Sequence, residues 1–342
     1  MNLLRSLSPG GLVVAIALAL TGCFGEPKTL VTELTGKTMG TSWSVKLAYP
    51  ENRPVTDALQ GQIEALLVEV NNQMSTWQKD SEISTFNNLA APASMDVSRP
   101  FAALTAKALE LSNVSAGKFD PTVGPIVGLW GFGPPKTENR MPTDAEVAAA
   151  SAQVGFEAIA VSGSTLTKSA QRRLDLSAIA KGHGVDVVAD HLISIGYLNH
   201  LVEIGGEMRA GGDKLDLGPW RVAIEKPVEH DRAIQQVIEV TNIGIATSGD
   251  YRNYREINGQ KFHHAMDPDT GRPVTHDLGS VTVLHPSAAM ADGWATTLLV
   301  LGAEAGMALA TEQGLAAYFI TRGDGLQASY TPEFAPYMEN VK

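Results

Sequence analysis

The chain has 342 residues, 44% hydrophobic and 18% charged, so it can build a large buried core and is not disordered by composition. Its 26 Lys+Arg against 37 Asp+Glu give a net charge of −11, which excludes a mainly electrostatic nucleic-acid binder. A single cysteine excludes an internal disulfide framework and any Cys-rich zinc or iron–sulfur site, while 33 glycines and 18 prolines argue against a simple helical bundle.

The chain opens with a positive residue, Arg5, and an uncharged apolar run from Gly11 to Leu20. That run is shorter than the roughly 20 residues needed to cross a bilayer. It ends in Leu20-Thr21-Gly22-Cys23, which resembles a bacterial lipobox. Residues 1–22 then form a signal peptide, Cys23 is the lipidation site, and 23–30 are a short tether. The alternative is an ordinary secretory signal that happens to end near a cysteine. No later segment is long and apolar enough to span a membrane, and 31–342 read as one exported domain held at the membrane by lipid.

Within that domain, Lys37 to Ala48 reads as a strand. Leu59, Ile63, Leu66, Leu67, Val70 and Met74 recur at helical spacing and predict an amphipathic helix over 57–74. A second helix is expected from Phe101 to Ser115, stopped at Gly117. Gly124 to Pro135 reads as a Gly/Pro/aromatic loop. Thr143 caps a short helix to Val154, and Ser177 caps another from Ala178 to about Ile195. Short strands follow at Leu201–Ile204, Arg221–Glu225, Val237–Val240, Ile243–Ala246 and Lys261–His264. A last helix starts after Pro286 and runs past Thr297. Strands and helices do not alternate regularly, so the expected class is α+β rather than a doubly wound sheet. No repeat or linker divides it.

Familiar nucleotide and hydrolase signatures are absent: there is no G-x-G-x-x-G, no P-loop, no H-E-x-x-H and no G-x-S-x-G. Four constellations remain. Asp175-Leu-Ser-Ala-Ile-Ala-Lys-Gly-His-Gly184 places two glycines in a helix start, where each costs about 1 kcal/mol against alanine. Close approach of a ligand or of another backbone explains such glycines, although Asp175 and Ser177 also suit plain capping. Asp292 and Thr296, four apart on one helix face, offer hard oxygens that suit Mg²⁺, which typically completes its shell with water and substrate phosphates. They equally suit an early-helix Asp and a buried Thr bonded to its own helix. His263-His264 precede the turn Asp267-Pro-Asp-Thr-Gly271, a strand end that can present a neutral imidazole as a base. Adjacent strand residues face opposite ways, so at most one of the two serves a given site. Finally Gly205-Gly206 and Thr247-Ser-Gly-Asp-Tyr-Arg252 can either bring amides and the Arg252 charge to a diphosphate or form simple hairpin turns.

Taken with Lys37-Thr-Met-Gly-Thr41, Ser75-Thr-Trp77, Gly117-Lys-Phe-Asp-Pro-Thr-Val-Gly124, Leu129-Trp-Gly-Phe-Gly133 and Ala291-Asp-Gly-Trp294, these stretches resemble the ApbE family, the FAD:protein FMN transferases. The resemblance spans nearly the whole mature chain. It implies a single ApbE-type, T-fold-like α+β domain of mainly antiparallel sheet with packed helices. It implies transfer of the FMN half of FAD, with Mg²⁺ as cofactor, onto a Thr or Ser hydroxyl of a partner flavoprotein, with AMP released. By position, Met39, Trp77, Lys118, Phe119, Asp120, Asp175, Lys181 and Met266 contact FAD. The carbonyl of Ala178, with Asp292 and Thr296, holds the metal, and His264 is the base. The implied acceptors are subunits of Na⁺-translocating quinone reductase or Rnf-type complexes. The implied place is the inner membrane, facing the periplasm. Three departures stand out: Trp77 where many relatives carry Tyr, Ala295 where an acidic residue is common, and Lys181 at a variable, often acidic position. Two other readings share these residues: a Mg²⁺-dependent FAD pyrophosphatase and an FAD-binding lipoprotein without turnover.

Overall fold

The computed structural model describes residues 28–53, 55–133, 139–228, 233–251 and 253–338. The signal peptide, Cys23 and Arg252 lie outside the described residues. Eight strands form one sheet, in the spatial order Thr29–Thr38, Thr41–Pro50, His200–Ile204, Glu207–Gly211, Ile243–Gly249, Leu278–His285, Ala316–Gly323 and Gly325–Tyr330. Every neighbouring pair is antiparallel. The α+β expectation of a mainly antiparallel sheet with packed helices is met. The first strand begins at Thr29, so the end of the expected tether is already sheet.

Alternation along the second strand sets the two faces. Val45 and Leu47 point to one side, where the amphipathic helix Leu59–Met74 buries Leu59, Ile63 and Leu67 against them. Each such side chain contributes about 1.5–3 kcal/mol on burial. Ala48 points to the other side, toward Trp220, Ile224, Ile238 and Phe334, where a hairpin (Trp220–Glu225 with Ile234–Val240) covers the sheet. The single strand expected over 37–48 is instead a hairpin, because Met39 and Gly40 both take positive φ (48° and 72°).

Two helices position the site. The helix Ala180–Ser194 starts two residues later than expected, and Ser177 does not cap it: the Ser177 N–H and hydroxyl both donate to Asp175 Oδ1 in a turn before the helix. The helix Ala288–Leu301 is buried along almost its whole length in the largest apolar cluster. The two cross very closely. A Cβ at Gly182 would lie 2.2 Å from the Ala288 carbonyl oxygen, so only glycine fits there. Gly184 faces Met39 and Ile204 in the same way, at 3.0 and 3.2 Å. The glycines in this helix start therefore serve backbone and side-chain packing.

Asp186 locks the crossing. Its carboxylate accepts from the Ala288 and Ala289 N–H groups (2.9 and 3.0 Å) and from the Ser287 hydroxyl (2.6 Å), placing a negative charge at the positive end of the buried helix. Gly182→Ala is expected to cost about 1–3 kcal/mol through overpacking, read as a lower denaturation midpoint. An unchanged midpoint would show that the crossing tolerates a methyl group.

Candidate active site

A cavity of about 450 Å³ opens between the start of Ala180–Ser194, the face of Ala288–Leu301 and the segment around His264. Lys118, Phe119, Asp120, Asp175, Ala178, Lys181, His264, Met266, Asp292 and Thr296 all line it. Ten of the twelve residues expected at the site are thus brought together from four separate stretches of chain. Met39 is not among them: it sits in the first hairpin turn with its side chain packed on Gly184. Trp77 is not among them either. It is 65% exposed in the turn after the first helix, beside Thr76, which lines an adjoining cleft of about 470 Å³ shared with Asp175.

His264 directly follows the strand Gln260–His263, which pairs with Tyr254–Ile257, and it lines the cavity. Its Nδ1 lies 3.2 Å from the Asn253 carbonyl oxygen. A carbonyl only accepts, so Nδ1 carries the hydrogen and Nε2 keeps its lone pair. Burial pulls the pKa down to about 4, with His263 and Lys181 adding to the fall and the Asn253 carbonyl opposing it. At neutral pH this imidazole is a neutral acceptor. Trp130 secures the following turn by donating from its indole nitrogen to the Gly271 carbonyl at 2.9 Å. The loop expected over 124–135 therefore contains a short helix, Gly124–Leu129, with Pro125 in its first turn, where a missing N–H is harmless.

Asp120 lines the cavity, but its carboxylate is committed to the local fold. Oδ1 accepts from the Thr122 N–H and hydroxyl (2.7 and 2.6 Å), and Oδ2 from the Phe156 N–H (3.2 Å). Lys118 is clamped between Asp267 and Asp269 at 2.9 and 2.8 Å. Burial disfavours its charge, yet these two carboxylates hold its pKa above the ordinary lysine value. The Gly205 and Gly206 amides, considered as diphosphate donors, are spent on the Ser42 carbonyl of the neighbouring strand and on Glu203 Oε1. Thr247 and Ser248 belong to a strand rather than a turn.

On the opposite wall, Asp292 is 2% exposed; its Oδ2 accepts from the Gly182 N–H at 3.1 Å. Thr296 lies one helical turn on, its hydroxyl 3.2 Å from that of Ser248. Sequence reasoning missed Glu207. It is 4% exposed, and its Oε1 meets the Lys181 ammonium at 2.6 Å, with Asp292 Oδ1 at 3.6 Å from the same nitrogen. Burial raises the pKa of both acids, and Lys181 opposes the rise; burial disfavours the Lys181 charge, but the two acids outweigh it and hold its pKa above the ordinary value. The only signal for Glu207 in the sequence is its place just after Gly205-Gly206, where strand geometry turns it toward the helix carrying Lys181.

Among the described residues, no three His, Cys, Asp or Glu side chains are grouped to hold a metal. A hard cation nonetheless fits this wall. Asp292, Thr296 and the Ala178 carbonyl offer oxygen only, and a further buried oxygen, Glu207 Oε2, has no hydrogen-bond partner among the described residues.

A neutral imidazole on one wall and oxygen-only donors on the other are the kinds of group a group-transfer site uses. A sequence model of the ApbE family matches residues 39–319, and the chain belongs to that family. It is 44% identical to a FAD:protein FMN transferase of Haemophilus influenzae over 331 residues, covering 94% of each chain. It is also 44% identical to the one from Vibrio cholerae, over 95% of this chain and 98% of that one. Among solved structures, the flavin transferase ApbE of Vibrio cholerae superposes with a TM-score of 0.84 at 43% identity, covering 91% of this chain and all of the other. The apo flavinyl transferase ApbE of Pseudomonas stutzeri gives a TM-score of 0.84 at 39% identity, over 92% and 98% of the chains.

The expected titration of His264 follows from its setting. Its ring signals in NMR should shift with a midpoint near 4. A midpoint at the ordinary value of about 6.5 would contradict the buried, Nδ1-tethered geometry.

Proposed function

We infer that the chain is a flavin transferase: it cleaves FAD and moves the FMN half onto a Thr or Ser hydroxyl of a partner flavoprotein, releasing AMP. The observation that carries this reading is His264. It is neutral, tethered at Nδ1 with Nε2 left as the free acceptor, and it lines the cavity that Asp292 and Thr296 share. The likeness to the FAD:protein FMN transferases supports it over the whole length of the fold.

A hydroxyl is a poor nucleophile until a base takes its proton. In the proposed step His264 Nε2 accepts that proton as the hydroxyl oxygen bonds to the phosphorus of the FMN half. The P–O–P bond breaks, and the electron pair leaves on the AMP phosphate. Asp292, Thr296 and the Ala178 carbonyl would hold Mg²⁺, which would supply positive charge against the phosphoryl oxygens and the leaving group. Phe119 and Met266 give the cavity apolar walls for the flavin. Trp77, broad and exposed beside the adjoining cleft, is suited to cover a planar ring by stacking. Lipidation at Cys23 would tether the enzyme to the inner membrane on its periplasmic side, facing acceptors of the Na⁺-translocating quinone reductase or Rnf type.

His264→Ala is expected to bind FAD normally in a fluorescence titration while transfer falls about 10²–10⁴-fold; transfer at the wild-type rate would remove His264 from the role of base. Asp292→Ala is expected to shift the Mg²⁺ dependence of transfer to much higher concentrations. An unchanged metal titration would place the cation elsewhere.

A further inference from the structure

Lys181, Glu207 and Asp292 meet on one wall of the cavity. The helix Ala180–Ser194 and the strand Glu207–Gly211 face each other with opposite charges. Lys181 pairs with Glu207, while Asp186 and Asp190 pair with Arg209 at 3.0 and 2.9 Å. The spacing matches. Five residues of helix advance about 7.5 Å, and two residues of strand advance about 6.7 Å. The Arg209 end of this ladder is complete. The Lys181 end is not: Glu207 Oε1 is used, but Oε2 has no partner among the described residues although the residue is 4% exposed and lines the cavity.

Charge points the same way. Two buried acids share one ammonium, so this wall has no positive charge left over for a diphosphate. A divalent cation would supply it. The helix that carries Asp292 offers no second carboxylate of its own, since position 295 is a fully buried alanine. The remaining acidic oxygen facing the Lys181 ammonium comes from the neighbouring strand.

We propose that Glu207 is a further residue of the cation site, supplying through Oε2 the carboxylate that position 295 lacks, and that Lys181 is a built-in monovalent stand-in which competes with the divalent ion for these oxygens. In the metal-free protein the ammonium holds Glu207 and Asp292 together. When the divalent ion binds, Lys181 is released toward the phosphate oxygens of the ligand. This rests on the reading of Asp292 and Thr296 as metal-holding residues.

The test is Mn²⁺ binding to the ligand-free protein, followed by the loss of the free-ion signal in electron paramagnetic resonance. It compares wild type with Glu207→Gln, Lys181→Met and Asp292→Asn, each checked for a cooperative melt. Glu207→Gln should weaken Mn²⁺ binding by at least about 10–100-fold, the range seen even for residues that only support a ligand. Glu207→Asp, which keeps the charge, should recover part of it. Lys181→Met should bind Mn²⁺ more tightly than wild type while binding FAD more weakly. Wild-type Mn²⁺ affinity in Glu207→Gln, with affinity lost in Asp292→Asn, overturns the proposal and leaves the transfer reading intact. Wild-type affinity in Asp292→Asn as well overturns the metal reading beneath both. Weaker Mn²⁺ binding in Lys181→Met would make the lysine a mere support for the acids and overturn its competing role.

Discussion

The close crossing of two helices at Gly182 is the constraint on which the site depends. Because no Cβ intervenes, the backbone of Ala180–Ser194 touches that of Ala288, and Asp186 reaches three donors at the start of the buried helix. The same contact brings Asp292 under the Gly182 N–H and beside Lys181. A wider crossing would separate the acidic wall from the glycine helix and leave Asp186 without its partners. Position 182 is thus structural in its contacts and functional in its consequence.

Around that crossing the protein sorts charge by depth. The His264 wall carries a neutral imidazole, held neutral by burial and oriented by one carbonyl. The facing wall carries two acids and the one ammonium they share, and so offers no spare positive charge to a diphosphate. Flavin transfer from FAD asks for both features: a base that is free at neutral pH and a cation that turns an acidic wall into a phosphate-binding one. In the proposed reading the acidic residues are the seat of a cation, which would reconcile a chain of net charge −11 with an anionic substrate.

The elements legible in the sequence are those with one wet and one dry face. The periodicity from Leu59 to Met74 locates its helix to within two residues. Phe101 to Ser115 does nearly as well against the observed Arg99–Val114. The strands Leu278–His285 and Ala316–Gly323 escaped because they are covered on both sides, and so carry no alternation to read. Leu278–His285 is buried at seven of its eight positions. Met39-Gly40 hid a hairpin because nothing in a run of small and β-branched residues announces a left-handed turn at methionine. At the site, motif resemblance found His264, Asp292 and Thr296, whose residue types declare their chemistry. It could not find Glu207, whose meaning comes only from the helix that packs over it. Nor could it tell that Asp120 is spent on Thr122 and Phe156, since both roles ask for the same carboxylate.

In the proposed reading one cavity both cleaves FAD and delivers its FMN half to a protein hydroxyl. The most direct measurement is the intact mass of an acceptor flavoprotein domain incubated with the enzyme, FAD and Mg²⁺. Flavin transfer at this site should add one FMN per acceptor and release one AMP, both lost in His264→Ala. Free FMN and AMP beside an unmodified cognate acceptor would contradict it and make the site a hydrolase.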